Sequence, residues 1–162
     1  MRIGIAADHG GFSMKEHLKT FLQEQGHEVV DFGTASHDTV DYPRVIAPLA
    51  KSVSNGDLER GVVICGTGIG ASIVANRFPG NRCALCHEPL SAEFSRRHND
   101  ANVLALGARL IGKEMATRIL WIWLTTEFDG GRHARRLRQI DALRRDGSDS
   151  EEARGDSYSQ DG

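Results

Sequence analysis

The chain alternates between two patterns of hydrophobic positions. Five short, nearly continuous apolar runs are typical of strands buried on both faces, and they predict strands at residues 2–7, 28–32, 61–65, 82–86 and 103–106. Elsewhere apolar residues recur every three or four positions, as they do in amphipathic helices. The predicted helices cover residues 13–25, 45–53, 69–77, 90–97, 113–125 and 132–145.

This alternation of strands and helices with short connections predicts an α/β fold. Parallel strands need crossover connections, so we expect a five-stranded parallel sheet with helices on both faces. No linker or repeat divides residues 1–145, which we interpret as a single domain. Ligands of such sheets bind beyond the carboxyl ends of the strands, so the loops that follow strands are the first places to seek chemistry.

Charge is distributed unevenly along the 162 residues. Residues 146–162 hold six acidic residues and one arginine, a charge of −5, which leaves +3 for residues 1–145 out of −2 overall. We expect this acidic tail to be disordered. A body charge of +3 is too weak to indicate nucleic-acid binding, but it suits a small anionic ligand.

Cellular location is predicted from cysteine content and apolar runs. An odd number of cysteines, three, does not suggest a disulfide framework and favours a reducing cytoplasm. No apolar run approaches the 18–20 residues or so that span a bilayer, and no signal peptide is visible, so no membrane association is expected.

The loops after the first and third strands carry candidate chemistry. Asp8 and His9 suit acid/base work or anion binding, although for these residues alone a helix N-cap followed by a turn is the simpler interpretation. Cys65 is followed by Gly66-Thr67-Gly68-Ile69-Gly70, whose amides can converge as an anion nest at the start of a helix. A lone cysteine is usually a small buried hydrophobe, but beside such a nest a thiolate suits proton abstraction next to a carbonyl.

A dinucleotide site is a competing interpretation of the same loop. Residues 66–71 fit G-x-G-x-x-A, and Glu88 lies 22 residues after Gly66. The pattern follows the third strand rather than the first, and no second domain is available to hold a hydride acceptor. It is therefore the weaker hypothesis.

Two further polar clusters stand near the predicted helices. After the fourth helix, His98 suits acid/base work and Asn99 can donate to an oxyanion, although a solvated helix terminus is the simpler interpretation. Arg132 and Arg136 are four residues apart and can clamp a phosphate, with His133 as a further donor; a solvated basic face or an RNA-binding stripe are the alternatives. In this last helix Leu137, Ile140 and Leu143 are expected to pack inward.

Metal binding is not expected. Cys83 and Cys86 resemble half of a zinc site, but there is no second cysteine pair, and the segment has the pattern of a buried strand.

Together these motifs resemble the ribose-5-phosphate isomerase B family, which includes galactose- and allose-phosphate isomerases. The resemblance covers about residues 2–145 and rests on residues 7–12 (ADHGGF), 41–43 (DYP), 65–70 (CGTGIG), 97–103 (RHNDANV) and 130–133 (GGRH). It implies a Rossmann-like three-layer α/β/α sandwich. It also implies a homodimer or homotetramer with active sites at the dimer interface, and no cofactor or metal.

The resemblance also implies a role for each matching residue. Family members use either a cysteine at the end of the third strand or a glutamate after the glycine loop as the base; here Cys65 fills the first position and Ala71 the second. Cys65 would then move the proton between C1 and C2, while His98, helped by Asp8, would open the sugar ring. Enediolate stabilisation and substrate binding are implied for Thr67, Gly66, Gly68, Gly70, Asn99 and Tyr42. Phosphate binding is implied for His9, Arg132 and Arg136, with Arg109 and His133 as additional candidates.

The implied reaction is the interconversion of ribose 5-phosphate and ribulose 5-phosphate through a cis-enediol. The same chemistry on allose 6-phosphate, galactose 6-phosphate or a four-carbon ketose phosphate is the nearest alternative. A non-catalytic module that binds a nucleotide or sugar phosphate is the alternative of another class.

Overall fold

The computed structural model describes residues 1–145 and contains five strands and six helices over that range. The predicted acidic tail, residues 146–162, lies outside the described residues. In chain order the elements are β1 (Arg2–Ala7), α1 (Phe12–Glu24), β2 (Glu28–Asp31), α2 (Tyr42–Ser54), β3 (Arg60–Cys65), α3 (Ile69–Ala75), β4 (Cys83–Leu85), α4 (Pro89–Asn99), β5 (Val103–Gly107), α5 (Lys113–Thr125) and α6 (Gly131–Arg145).

All five strands pair in parallel, in the order β2-β1-β3-β5-β4. The predicted α/β class and five-stranded parallel sheet are confirmed. From β1 the sheet grows toward β2 on one side and toward β3 on the other, so a topological switch point lies between β1 and β3. A crevice beyond their carboxyl ends is the expected ligand site.

Two hydrophobic cores, one on each face of the sheet, produce the three layers. On one face, α1, α4 and α5 cover the sheet, with Leu18 and Trp123 fully buried against Ile5 and Ile64. On the other face, α2 and α3 pack against alternate residues of the same strands. Because successive strand residues point to opposite faces, apolar strands of this kind supply both cores.

The ends of two elements differ from the sequence prediction in ways that affect the site. The cluster that begins at Arg96 was expected to follow the fourth helix, but α4 continues through His98 and Asn99. Of the three α6 residues expected to pack inward, Leu137 is buried, whereas Ile140 and Leu143 are 49% and 73% exposed, so the expectation is wrong for the last two. Within residues 1–145 no helix is long and apolar enough to cross a membrane.

Candidate active site

Cys65 ends β3 at the switch point, and its sulfur has a backbone donor. The side chain is buried, and the amide of Gly68 donates a hydrogen bond to the Sγ atom over 3.2 Å. The next amide, that of Ile69, donates to the Thr67 hydroxyl oxygen over 3.4 Å. An N–H aimed at sulfur stabilises a thiolate relative to a thiol, because the donor's partial positive charge favours the charged form.

The glycines of this loop are required by close approaches. Gly68 has a φ of 78°, and a Cβ there would lie 2.5 Å from Leu85 Cδ1. At Gly70 a Cβ would lie 2.7 Å from Cζ of Tyr42, so the tyrosine ring occupies the space above this residue. The loop is therefore shaped by its neighbours, and Tyr42 lies directly beside it.

The loop after β1 lies next to the loop after β3. The Asp8 amide donates to the Ile64 carbonyl over 3.2 Å, and the Asp8 carboxylate accepts from the Gly11 amide over 3.0 Å. In His9 the Nδ1 atom lies 3.3 Å from both the backbone nitrogen and the carbonyl oxygen of Val40. The Asp8 carboxylate therefore stabilises the turn that contains it, and the backbone of Val40 orients the His9 ring.

Arg109 lies over both of these loops. Its amide donates to the Gly66 carbonyl over 2.9 Å. In its side chain, Nε lies 3.4 Å from the position a Cβ would take on Gly66, and Nη2 lies 3.9 Å from the corresponding position on Gly10. The side chain is exposed, so its charge is available to an anion. We call this group the carboxyl-edge cluster; its members are Asp8, His9, Tyr42, Cys65, Gly66, Thr67, Gly68, Gly70 and Arg109.

A second cluster forms where the end of α4 meets the start of α6. The rings of His98 and His133 stack with centroids 4.3 Å apart and planes 5° apart, and Phe94 stacks on the other face of His98. Arg132 Nε lies 3.4 Å from His133 Nε2, and Arg132, Arg136 and Asn99 are exposed beside the stack. The second group, the amino-edge cluster, comprises His98, Asn99, Arg132, His133 and Arg136.

Positive charge dominates the amino-edge cluster. Burial lowers the pKa of His133, and the neighbouring charges of His98, Arg132 and Arg136 lower it further. His133 is therefore neutral at pH 7 and can accept a hydrogen bond from Arg132. Arginines that converge around an uncharged ring form a suitable site for a phosphate.

The two clusters lie at opposite edges of the sheet. In the register of β3 and β5, Cys65 aligns with Gly107, the last residue of β5. His98 instead precedes Val103, the first residue of that strand, because α4 returns antiparallel to the sheet. The length of β5, roughly 13 Å at 3.3 Å per residue, separates the two levels. One chain therefore does not bring His98, Asn99, Arg132, His133 or Arg136 to Cys65.

The possible metal positions have features that oppose a cation. Ligand atoms of His98, Asp129 and His133 lie within 4.8 Å of one another. However, Arg97 pairs with the Asp129 carboxylate at 3.2 Å, and Arg132 contacts His133. This environment suits an anion better than a metal ion.

The half zinc site and the dinucleotide fingerprint are also unsupported by the local geometry. Burial raises the pKa of both Cys83 and Cys86, which favours thiols over the thiolates that zinc needs.

In the dinucleotide interpretation, Glu88 would bind a ribose. The Glu88 carboxylate instead accepts from the amides of Leu90 and Ser91, each over 2.6 Å, as the N-cap of α4. It is therefore already engaged and is not aimed at a ribose.

Sequence reasoning missed one side chain of the carboxyl edge. His87 follows β4, and its Nε2 lies 3.2 Å from the Thr67 carbonyl oxygen. Its position directly after a strand was a signal that could have found it, because residues after parallel strands gather at one edge.

A buried thiol with a backbone donor lies at the switch point of a doubly wound sheet, with an arginine beside it. These features define an α/β protein with a candidate site that suits a small anionic molecule. Comparison with known proteins makes the class specific. The model of the Ribose/Galactose Isomerase family matches residues 3–140, and the chain belongs to this family. The predicted family resemblance is confirmed.

Close relatives agree in sequence and in fold. The chain is 45% identical to ribose-5-phosphate isomerase B of Escherichia coli over 142 residues, which are 88% of this chain and 95% of the relative. It is 40% identical to D-erythrulose-4-phosphate isomerase of Pectobacterium atrosepticum, over 86% of this chain and 93% of that protein. The structure of Clostridium thermocellum ribose-5-phosphate isomerase B superimposes with a TM-score of 0.90 at 48% identity, covering 91% of this chain and all of the other. The expected Rossmann-like sandwich is confirmed.

Proposed function

We propose that this protein interconverts ribose 5-phosphate and ribulose 5-phosphate through a cis-enediol, with Cys65 as the base. Membership of the isomerase family supports the reaction type, and the names of the Escherichia coli and Clostridium thermocellum relatives support the substrate. The observation that carries the assignment of the base is the Gly68 amide, which donates to the Cys65 sulfur over 3.2 Å.

The proposed chemistry is a proton transfer between two neighbouring carbons. The Cys65 thiolate takes the proton from C2 of the open-chain aldose, and the electron pair moves to form an enediolate across C1 and C2. The thiol then returns the proton to C1, and a proton moves from the C2 hydroxyl to the oxygen on C1. Loop amides from Gly66 to Gly70 and the Thr67 hydroxyl are the donors that stabilise the developing negative charge.

A complete site requires a second copy of the chain. In this proposal His98 opens the sugar ring, and Arg132 and Arg136 bind the phosphate. These three residues lie at the amino edge, whereas Asp8, which helps His98, lies at the carboxyl edge with Cys65. A symmetric dimer that brings the amino edge of one chain to the carboxyl edge of the other would form two equivalent sites. We therefore propose a homodimer with shared sites, which can pair further into a tetramer.

Exposed apolar residues support contact at both clusters. Ile69 and Ile73, on the helix that follows the Cys65 loop, are 52% and 55% exposed. Phe94, which stacks on His98, and Ile140 on α6 are 37% and 49% exposed. Apolar surface beside each cluster is what a protein interface through the site would bury.

Phosphate recognition is divided between the two edges in this proposal. His9 and Arg109 approach from the carboxyl edge, while Arg132 and Arg136 come from the second copy, with His133 as an additional donor or acceptor. Loss of one charged contact of this kind is expected to raise KM about 10- to 100-fold. A rise in KM with little change in kcat would distinguish these residues from the base.

The decisive experiment compares Cys65→Ala with Cys83→Ala across a panel of sugar phosphates. Cys65→Ala should lose turnover by a factor of about 1,000 or more while still binding substrate, because only the base is removed. Cys83→Ala should remain active. Retained turnover in Cys65→Ala would refute the assigned base and favour a non-catalytic binding module.

A four-carbon ketose phosphate is the second candidate substrate. The similarity to D-erythrulose-4-phosphate isomerase favours it specifically, while six-carbon aldose phosphates test the allose and galactose alternatives. A kcat/KM on any of these that far exceeds the value for ribose 5-phosphate would overturn the substrate assignment and leave the reaction type intact.

Cytoplasmic location completes the proposal. Cys65, Cys83 and Cys86 are all free thiols, and a reduced state is typical of cytosolic proteins. A cytosolic enzyme also meets phosphorylated sugars where they are made.

A further inference from the structure

The peptide group between Thr67 and Gly68 is held at both of its ends. Its N–H donates to the Cys65 sulfur over 3.2 Å, and its carbonyl oxygen lies 3.2 Å from Nε2 of His87. The two groups belong to one rigid plane, so they point in roughly opposite directions and move together. The His87 ring and the Cys65 sulfur are therefore linked through a single amide dipole.

The hydrogen on this contact belongs to His87. A carbonyl oxygen only accepts, so the Nε2 atom carries the proton and donates it to Thr67. The contact depends on Gly107 beneath it, where a Cβ would lie 2.6 Å from the Thr67 oxygen and 2.9 Å from His87 Nε2. Gly107 is the residue that aligns with Cys65 across the β3–β5 pair.

The peptide group has an alternative orientation that the His87 contact opposes. Gly68 has φ 78° and ψ −16°, the values of the third residue of a type II turn. Rotating the preceding peptide plane gives a type I turn, which glycine also tolerates. Such a rotation would turn the N–H away from the Cys65 sulfur and direct the carbonyl oxygen toward it.

The neighbouring acidic side chain does not compete for His87. Glu88 is committed to the amides of Leu90 and Ser91 at the start of α4. Within the described residues, the His87 ring makes its hydrogen bond to the Thr67 carbonyl.

We propose that His87 is a positioning residue for Cys65: it fixes the Thr67–Gly68 peptide so that its N–H faces the thiolate, and it strengthens that N–H as a donor. This inference rests on the proposed role of Cys65 as the base. Hydrogen bonds in series polarise one another, so a donor on the carbonyl makes the N–H at the other end a better donor. In this role His87 acts through the Thr67–Gly68 peptide, to which its Nε2 atom donates, and not by direct contact with the reacting atoms.

Three substitutions in the full-length protein separate this role from simple packing. His87→Gln places an amide N–H at a similar reach, His87→Glu has nearly the same shape but a carboxylate that only accepts, and His87→Ala removes the contact. Steady-state kinetics with ribose 5-phosphate, with and without deuterium at C2, are measured for each variant. Thermal unfolding serves as the check on folding.

The expected result is a pattern across the three variants. His87→Gln should keep kcat within about twofold, while His87→Ala and His87→Glu should lower it about 5- to 10-fold, as expected for the loss of one hydrogen bond. KM should stay within about twofold, because no substrate contact is lost. The isotope effect on kcat should be no smaller than in the wild type, because the slowed step is the proton transfer.

Two results would overturn the proposal. The first is a wild-type kcat in all three variants. The second is an equal loss of kcat in His87→Gln and His87→Glu, accompanied by a raised KM or a smaller isotope effect. That second result would indicate a packing role. Cys65→Ala measured in parallel separates the two proposals. An inactive Cys65→Ala together with unaffected His87 variants rejects only the positioning role, whereas an active Cys65→Ala rejects the base itself.

Discussion

The imidazole of His98 lies flat against that of His133, with centroids 4.3 Å apart and planes within 5°. Positive charge on His98 is therefore unfavourable for protonation of His133, and Arg132 and Arg136 add to the effect. Burial and these neighbouring charges all lower the pKa of His133. The stack favours one neutral imidazole within a cluster of cations.

This lowered pKa gives a pH dependence of stability with a definite sign. As the pH falls through about 6.5, unfolded His133 binds a proton before folded His133 does, so the free energy of unfolding should decrease from pH 7.5 to 5.5. His133→Phe keeps a stacked ring without an ionisable group and should show a shallower decrease. Urea unfolding at both pH values measures the difference. An unchanged slope in His133→Phe would contradict the assignment, and Arg118→Gln, an exposed change on α5, is the control.

Mixing two inactive variants tests whether the site is shared between chains. Cys65→Ala and His98→Ala homodimers should each have little activity. A mixed dimer would contain one site in which Cys65 and His98 are both intact, so random exchange of subunits should restore about a quarter of the wild-type sites. Activity is followed after mixing and incubation. If both residues belonged to one chain's site, mixing would restore nothing.

The glycine loop supplies a matched pair of substitutions. Gly68→Ala imposes a left-handed φ on alanine and a 2.5 Å contact with Leu85, so it should lower the free energy of unfolding by about 1–3 kcal/mol. Gly66→Ala would place its Cβ no closer than 3.4 Å to the flexible side chain of Arg109 and should cost less than about 1 kcal/mol. Urea unfolding measures both. Equal costs would argue against the loop conformation.

A buried ammonium on α1 provides a test of stability away from the site. Lys15 is 1% exposed and contacts Asp31 at 2.7 Å and Glu16 at 2.6 Å. Burial acts to raise the pKa of Asp31, but bonds from Lys15, Lys19 and the Gly33 amide outweigh it and hold that pKa below its usual range. The stabilisation from Asp31 is therefore present above pH 4 or so and is lost below it.

Removing the Asp31 charge should leave Lys15 poorly compensated. Asp31→Asn is expected to cost about 2–4 kcal/mol of unfolding free energy at pH 7, whereas Glu16→Gln, at a partly exposed site, should cost about 1 kcal/mol or less. Lys15→Met should be close to neutral, because it removes the buried charge itself. Chemical denaturation of the three variants gives the comparison, and a larger cost for Lys15→Met than for Asp31→Asn would reverse the argument.

The sequence was most informative where one periodicity continued without interruption. The bounds of β1 and α5 were predicted at residues 2–7 and 113–125, as the structure has them, because each is a clean apolar pattern with polar residues at both ends. The end of α4 was missed because its last turn is polar. Arg96 is held there by the Asp100 carboxylate and the Ala101 carbonyl, local polar partners that the periodicity of apolar residues does not reveal.

The residue patterns alone predicted the candidate site only as a set of residues; the arrangement, with active sites at a dimer interface, was implied by the family resemblance. Cys65 ends a strand and Asp8 follows one, whereas His98 and Arg132 lie at helix ends, and in a parallel α/β sheet these positions fall at opposite edges. The predicted order of strands and helices was enough to assign each of these residues to one edge of the sheet. The contact of Tyr42 with Gly70 could not be predicted from this order, because it depends on the packing of α2 against α3 across 28 residues of sequence.

The shared site proposed above, with the carboxyl edge of one chain facing the amino edge of another, would make the activity depend on protein concentration. Turnover per chain should stay constant while the dimer is intact and fall on dilution below its dissociation constant, even though each chain remains folded. Substrate that bridges the two chains would shift that threshold to lower concentrations. The amount of enzyme, and not only the amount of sugar phosphate, would then set the rate for each chain.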